Sequence, residues 1–179
     1  VAGCATFPAA AMLVASMNPC KCGYYGDSTR ECTCTLQSIR NYLGKISGPM
    51  LDRFDIQIQV SSVKYDELSS YKKGESSAAI KERVQKAREI QLERYRGMKI
   101  YSNSQLTAAG IDEFCRISDE SKELLKNVFL KLGLSARAHA RILKVSRTIA
   151  DLEGEKDILP IHIAEAIRYR SLDGKFWFK

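Results

Sequence analysis

Four of the chain's six cysteines fall in the fifteen residues from Cys20 to Cys34, as Cys20-Lys21-Cys22 and Cys32-Thr33-Cys34. Two such pairs can supply four thiolates to one zinc ion, which takes them tetrahedrally with Zn–S near 2.3 Å. The intervening turn-rich segment, Gly23-Tyr24-Tyr25-Gly26-Asp27-Ser28, lets both pairs fold onto one ion. The usual zinc spacing leaves two residues between paired cysteines, so the one-residue gaps here are a departure. In extended backbone, Cys20 and Cys22 would point to opposite faces, so the chain must turn there, and Gly23 permits it. The alternative is a set of reduced thiols. A structural zinc would contribute on the order of 10 kcal/mol to a loop with little core of its own. Cys4 and Cys115 lie outside the cluster and read as ordinary apolar residues.

The composition is that of a globular chain. At 179 residues and 45% hydrophobic content it holds one large domain or two small ones. A formal charge of +7 favours polyanionic partners, with plain solubility as the competing explanation. No apolar run approaches the roughly 18 residues that span a bilayer, and Val1-Ala2-Gly3-Cys4 carries no basic leader. Disulfides are disfavoured in the cytoplasmic location this predicts. The first residue is not Met and an apolar run arrives within a dozen positions, so a piece of a longer chain is expected.

Residues Ala11 to Met17 form a continuous apolar run, the pattern of a strand covered on both faces. A loop from Asn18 to Cys34 follows, and Thr35 caps a helix whose apolar residues Leu36, Ile39, Tyr42, Leu43 and Ile46 recur every three or four positions. Ser47-Gly48-Pro49 ends it. Phe54 to Val60 alternates apolar and polar residues and predicts a second strand. Ser76 or Ser77 then starts a long helix to about Arg96, carrying Ile80, Val84, Ala87 and Gln91 on one stripe. Beyond Gly97 the pattern is short helix throughout: 105–107, 111–115, 118–132, 135–153 with Gly154 as its stop, and a last one from Pro160 through Arg170. The expected organisation is a partial α/β region, a connector and a helical bundle.

Four polar residues carry possible chemistry. Asn18 leaves the apolar run at the end where open α/β sheets bind ligands, and an amide there orients a water beside a phosphate. Equally, Asn-Pro is a common turn starter. Arg53 precedes the second expected strand and either pairs with Asp52 or Asp55 or, in an oligomer, reaches a neighbour's γ-phosphate. Arg137 and Arg141 stand one turn apart near a helix start, where two guanidiniums grip phosphate oxygens or simply form a solvated basic face. His139 and His162 are too isolated to be read as ligands or bases.

Three blocks in order, Leu13-Val-Ala-Ser-Met-Asn-Pro-Cys-Lys-Cys-Gly-Tyr24, Ser47-Gly-Pro-Met-Leu-Asp-Arg-Phe-Asp55 and Gly133-Leu-Ser-Ala-Arg-Ala-His-Ala-Arg-Ile-Leu-Lys-Val-Ser-Arg-Thr-Ile-Ala-Asp-Leu152, resemble the magnesium-chelatase-like AAA+ ATPases of bacteria, the YifB/ComM group. The resemblance covers nearly the whole chain. It implies an α/β partial AAA+ core, from the sensor 1 strand to the strand after the arginine finger, over 1–62. A connector and long helix over 63–97 and an all-α helical lid over 98–179 would follow. It also implies that Asn18 is sensor 1, Arg53 an arginine finger acting on the adjacent protomer and Arg137 the sensor 2 arginine of the lid. In the family such subunits form hexameric rings, use ATP and Mg2+, and in ComM-type members drive DNA branch migration during natural transformation. One departure is Phe7-Pro8-Ala9-Ala10-Ala11, where the family usually has Phe-Pro-Ala-Arg-Phe.

A larger departure is that no Gly-x-x-x-x-Gly-Lys-[Ser/Thr] loop and no strand ending in paired carboxylates occur in the chain, so it should not hydrolyse ATP alone. In the AAA+ sheet the strand leading into the phosphate loop lies between the two strands expected here. Met12 to Met17 and Asp55 to Val60 should therefore pair directly or remain poorly ordered, while 76–170 folds more independently. Two other functions compete: a chelatase-type motor for metal insertion, and a non-enzymatic zinc-stabilised nucleic-acid-binding module.

Overall fold

A computed structural model of the chain describes residues 3–7, 11–63, 65, 69 and 74–170. By packing it divides into two compact units, Val1–Leu43 and Gly44–Lys179. The first unit holds the cysteine loop and one helix, α1 (Leu36–Leu43). Thr35 opens α1 by accepting the Ser38 N–H on its hydroxyl at 3.2 Å, as the sequence predicts for a cap. Ile39 and Leu43, four residues apart, are its buried side chains.

The second unit begins with a short helix, α2 (Gly48–Leu51). Ser47-Gly48-Pro49 is thus a start as well as a stop. Ser47 Oγ accepts the Met50 N–H, and Pro49 occupies the first turn, where its missing N–H matters least. The helical bundle follows: α3 (Ser77–Arg94), α4 (Ala108–Phe114), α5 (Asp119–Leu132), α6 (Ala136–Glu153) and α7 (Pro160–Arg168), with a 3-10 turn at Asn103–Gln105. Ser76, Thr107, Ser118 and Ser135 each cap a helix with a side-chain oxygen. Gly133 (φ 60°) and Gly154 (φ 77°) end α5 and α6 in the left-handed conformation that glycine adopts without strain. The connector expected over 63–97 and the end of the lid at 171–179 lie partly outside the described residues.

Helix α6 is the centre of the bundle and packs against α3, α4 and α7, and α5 packs on α7. Its Ala138, Ile142, Leu143 and Ile149 join Leu125, Ile158 and Ile163 in one apolar core. Alongside that core lies a buried polar cluster. Asp151, fully enclosed, accepts from Arg94 Nη1 at 2.9 Å, from Arg94 Nη2, from Arg147 Nε at 3.1 Å and from Asn103 Nδ2 at 2.8 Å. Arg147 spends its two remaining nitrogens on the carbonyls of Lys156 and Glu155, just past the end of α6. His162 is equally buried. Its Nδ1 accepts the Leu159 N–H at 3.0 Å, so its proton sits on Nε2 and is donated to Glu153 at 3.0 Å.

The expectation of an α/β region needs correction. Among the described residues the one β pairing is an isolated parallel bridge, Ile117 to Ile158. Residues 11–17 and 54–60, read as strands, form no ladder, and Met12 and Val14 are 90% and 83% exposed. The reason is physical. A helix closes its own backbone hydrogen bonds, whereas a strand needs a neighbour, and no described segment forms a ladder with either run. On the long helix, Ala87 and Gln91 of the predicted stripe are buried, but Ile80 and Val84 are 41% and 46% exposed.

Candidate functional site

In the first unit the chain turns immediately after Cys20. The Gly23 N–H bonds back to the Cys20 carbonyl at 3.1 Å, with Gly23 at φ 87°. This turn puts Cys20 and Cys22 on one side instead of opposite faces, and their sulfurs lie 3.3 Å apart. Tyr24, Asp27 and Arg30 build the outward arm of the loop. Asp27 Oδ1 accepts from the Thr29 N–H, the Thr29 hydroxyl and the Arg30 N–H, and Arg30 bonds the Tyr24 hydroxyl at 2.7 Å. The arm returns Cys32 to 3.7 Å from Cys20 and 3.5 Å from Cys22. All four sulfurs, Cys34 included, fall within 4.8 Å of one another.

These distances discriminate between the thiol chemistries. A disulfide needs sulfurs about 2.05 Å apart, far closer than any pair here. A zinc tetrahedron with bonds of about 2.3 Å sets its sulfurs about 3.8 Å apart, and the sulfurs of Cys20, Cys22 and Cys32, at 3.3–3.7 Å, come close to that spacing. The Tyr24 N–H leads the influences that hold the Cys22 thiol down to about 5 against its partial burial, helped by Cys20, Thr33 and Cys32. For Cys32, the Cys34 N–H favours the thiolate, but burial and the neighbouring Cys22 and Cys20 thiols outweigh it and push the group up to about 12.

Asn18 is exposed and belongs to the same unit. Its side chain covers Gly23, where an added Cβ would lie 3.9 Å from Asn18 Nδ2. The amide is therefore stacked on the cysteine turn.

Arg53 and Arg137 both belong to the second unit. Arg53 follows α2 and donates from Nη1 to the Pro49 carbonyl at 2.7 Å. Neither carboxylate beside it in sequence is its partner. Asp52 pairs with Arg170 at 3.2 Å, and Asp55 pairs with Arg141. Arg53 is left exposed with no carboxylate among the described residues, which removes the local ion pair as its explanation. Arg137 is exposed in the first turn of α6, directly after the Ser135 cap. Arg141, one turn on, is committed to Asp55, so the two arginines do not act as a pair.

Sequence reasoning missed Arg170. Its side chain is 1% exposed and donates Nη1 to the Phe54 carbonyl and Nη2 to Asp52. No spacing rule could have found a contact across more than a hundred residues. The only sequence signal was a surplus, two acids flanking one arginine.

Comparison with known proteins gives a consistent answer. Residues 74–170 match the family described as "Magnesium chelatase, subunit ChlI C-terminal", and residues 1–68 match "Magnesium chelatase, subunit ChlI". The chain is 46% identical to "Competence protein ComM" of Haemophilus influenzae over 93% of its own length and 32% of that protein's. It is 41% identical to "Uncharacterized protein YifB" of Escherichia coli over 94% of this chain and 32% of the relative. An uncharacterized protein of Mycobacterium bovis is 32% identical over 94% of this chain and 33% of the relative. The chain thus spans about a third of the length of the curated relatives it matches. No helix among the described residues is long and apolar enough to cross a membrane.

Proposed function

Because the chain belongs to the magnesium chelatase family, as a ComM- and YifB-like AAA+ protein, we propose that it is the sensor- and finger-bearing part of a ring-forming ATPase that remodels DNA. Residues 1–62 are the C-terminal part of the ATPase core, 63–97 the connector and 98–179 the lid. In this reading Asn18 orients the attacking water, Arg137 senses the γ-phosphate in its own subunit and Arg53 reaches the γ-phosphate of the next. The phosphate cradle and the magnesium ligands are supplied by parts of the protein outside this chain. ATP and Mg2+ are the cofactors, the assembly is a hexameric ring, and branched DNA is the substrate in a competence-type function.

The observation that carries the reading is the state of Arg53. It is exposed, while the two acids that would ordinarily neutralise it are held by Arg141 and Arg170. A guanidinium kept free of local carboxylates is available to a phosphoryl group from outside. Such fingers are worth about 10³ to 10⁵ in rate.

Arg53→Ala in the full-length protein is the test. Turnover of ATP in the presence of branched DNA should fall by about 10³. Unchanged turnover would remove the finger assignment. Stimulation by a magnesium porphyrin system and not by DNA would favour the chelatase motor. Binding of DNA with no hydrolysis in the full-length protein would favour the non-enzymatic module.

The cysteines carry a second, structural part of the reading. Cys20, Cys22, Cys32 and Cys34 hold one Zn2+, which replaces a hydrophobic core in a loop that has little of one. Metal analysis of the purified protein should find one equivalent. Less than about half an equivalent would count against the site.

A further inference from the structure

The contacts that occupy Asp52 and Asp55 also fasten the Arg53 turn to the lid. Arg170, at the end of α7, is buried, and it holds the Phe54 carbonyl with one nitrogen and Asp52 with another. Next to it the Gln57 N–H donates to the Tyr169 carbonyl at 2.8 Å, while Gln57 Nε2 bonds back to the Leu51 carbonyl at 3.2 Å. From the other side Arg141 of α6 pairs with Asp55. Three lid groups therefore grip the residues immediately before and after Arg53.

Resting on the assignment of Arg53 as a finger, we infer that Arg170 is a positioning residue whose clasp makes the Arg53 turn and the lid one mechanical body. The argument is geometric. Arg141, one of the fastenings, stands one turn from Arg137 on α6, and α6 is embedded in the apolar core that also holds α7. A displacement of Arg137, when a γ-phosphate arrives in its own subunit, cannot be absorbed between α6 and α7 without opening that core. It passes through Arg141 and Arg170 to the turn carrying Arg53. The occupancy of one nucleotide site thus sets the position of the arginine offered to the next.

The fastening has the chemistry of a clamp. A fully buried guanidinium with both a carbonyl and a carboxylate as acceptors fixes direction as well as distance, because its donors are coplanar. Among the described residues the Arg53 side chain has one hydrogen bond, to the Pro49 carbonyl, and does not hold itself in place.

The experiment uses the full-length protein and four variants: R53A, R170M, R53A/R170M and D52N/D55N. R170M should lower kcat for ATP by about 10²-fold, the scale on which a displacement of about 1 Å acts, with KM for ATP within about twofold. R53A/R170M should be no slower than R53A alone, because Arg170 acts only through Arg53. A purely structural role would raise KM while lowering kcat and would add to the R53A loss. D52N/D55N releases the same turn through two carboxylates that are 28% and 62% exposed while keeping their shape and an acceptor oxygen at each, so the Phe54 carbonyl and the amide oxygen still serve Arg170; with folding checked by circular dichroism, kcat should fall here too. If R170M does not fold, D52N/D55N decides alone. Wild-type kcat in D52N/D55N or in folded R170M, with R53A inactive, overturns the clasp and leaves the finger standing. An active R53A overturns the finger itself.

Discussion

Asp151 is the residue on which the helical bundle's polar interior depends, and Asp151→Asn tests that dependence. Its carboxylate has no exposed surface and receives four hydrogen bonds, two from Arg94, one from Arg147 and one from Asn103. The two guanidinium side chains are themselves only 16% and 4% exposed. Substitution keeps the shape but removes the one anion between two buried cations. It also replaces one acceptor oxygen by an NH2 group that faces their donors. Breaking a buried ion pair costs about 3–5 kcal/mol, because the stranded charge can be neither solvated nor neutralised. The four hydrogen bonds to a charged acceptor, at about 1.5–3 kcal/mol each, would sum to more than this if they added, which neighbouring contacts do not. A domain the size of residues 74–170 has a total stability of about 5–15 kcal/mol, so the loss is a large share. With a urea slope of about 2 kcal/mol/M, the far-UV unfolding midpoint should drop by about 1.5–2.5 M. The companion variant R94M/R147M/D151L removes all three charges and should unfold near the wild-type midpoint or above it. A drop smaller than about 0.5 M in Asp151→Asn would show that water reaches the cluster and would refute the reasoning.

Other outcomes follow from separate features. Cys20→Ser/Cys32→Ser should abolish the zinc equivalent and expose the loop to proteolysis while leaving the helical content of 74–170 intact by circular dichroism; retained metal would place the ion elsewhere. Burial pushes the Cys115 thiol up to about 11, so at pH 8 it should resist iodoacetamide in the native protein and react only on unfolding, whereas exposed Cys4 reacts at once. A Cβ added at Gly110 would meet Leu106 Cδ2 at 2.9 Å, and Leu106 is buried, so Gly110→Ala should lower stability by about 1–3 kcal/mol in urea unfolding despite the better helix propensity of alanine.

The helices were legible because their signals are local. Ser76 and Ser135 fix starts, and Gly154 fixes an end, through hydrogen bonds that reach three or four residues at most, whereas Thr107, read as the end of a short helix, caps α4 instead. The cysteine cluster was legible for the same reason, since both pairs and the glycine that turns them lie in one short loop. The two strands were misread because a period-two or wholly apolar pattern describes what a strand would bury, not whether a partner stands beside it. Arg53 was recognisable, yet its freedom from Asp52 and Asp55 was not, since that depends on Arg141 and Arg170, arginines 86 and 118 residues away from the carboxylates they hold. Asp151 gave no signal either. One of two acids on a basic helix reads as surface charge until three elements close over it.

The clasp at Arg170 also sets an order of events in synthesis. The helices of the bundle assemble mainly from sequence neighbours, so their contacts form early and fast. The Arg53 turn emerges from the ribosome first of this unit, yet its anchor is made more than a hundred residues later, and closing so long a loop is the slowest entropic step. Until Arg170 is translated, the turn that carries Arg53 is unmoored, and it is fixed only after the residues that follow α7 are in place.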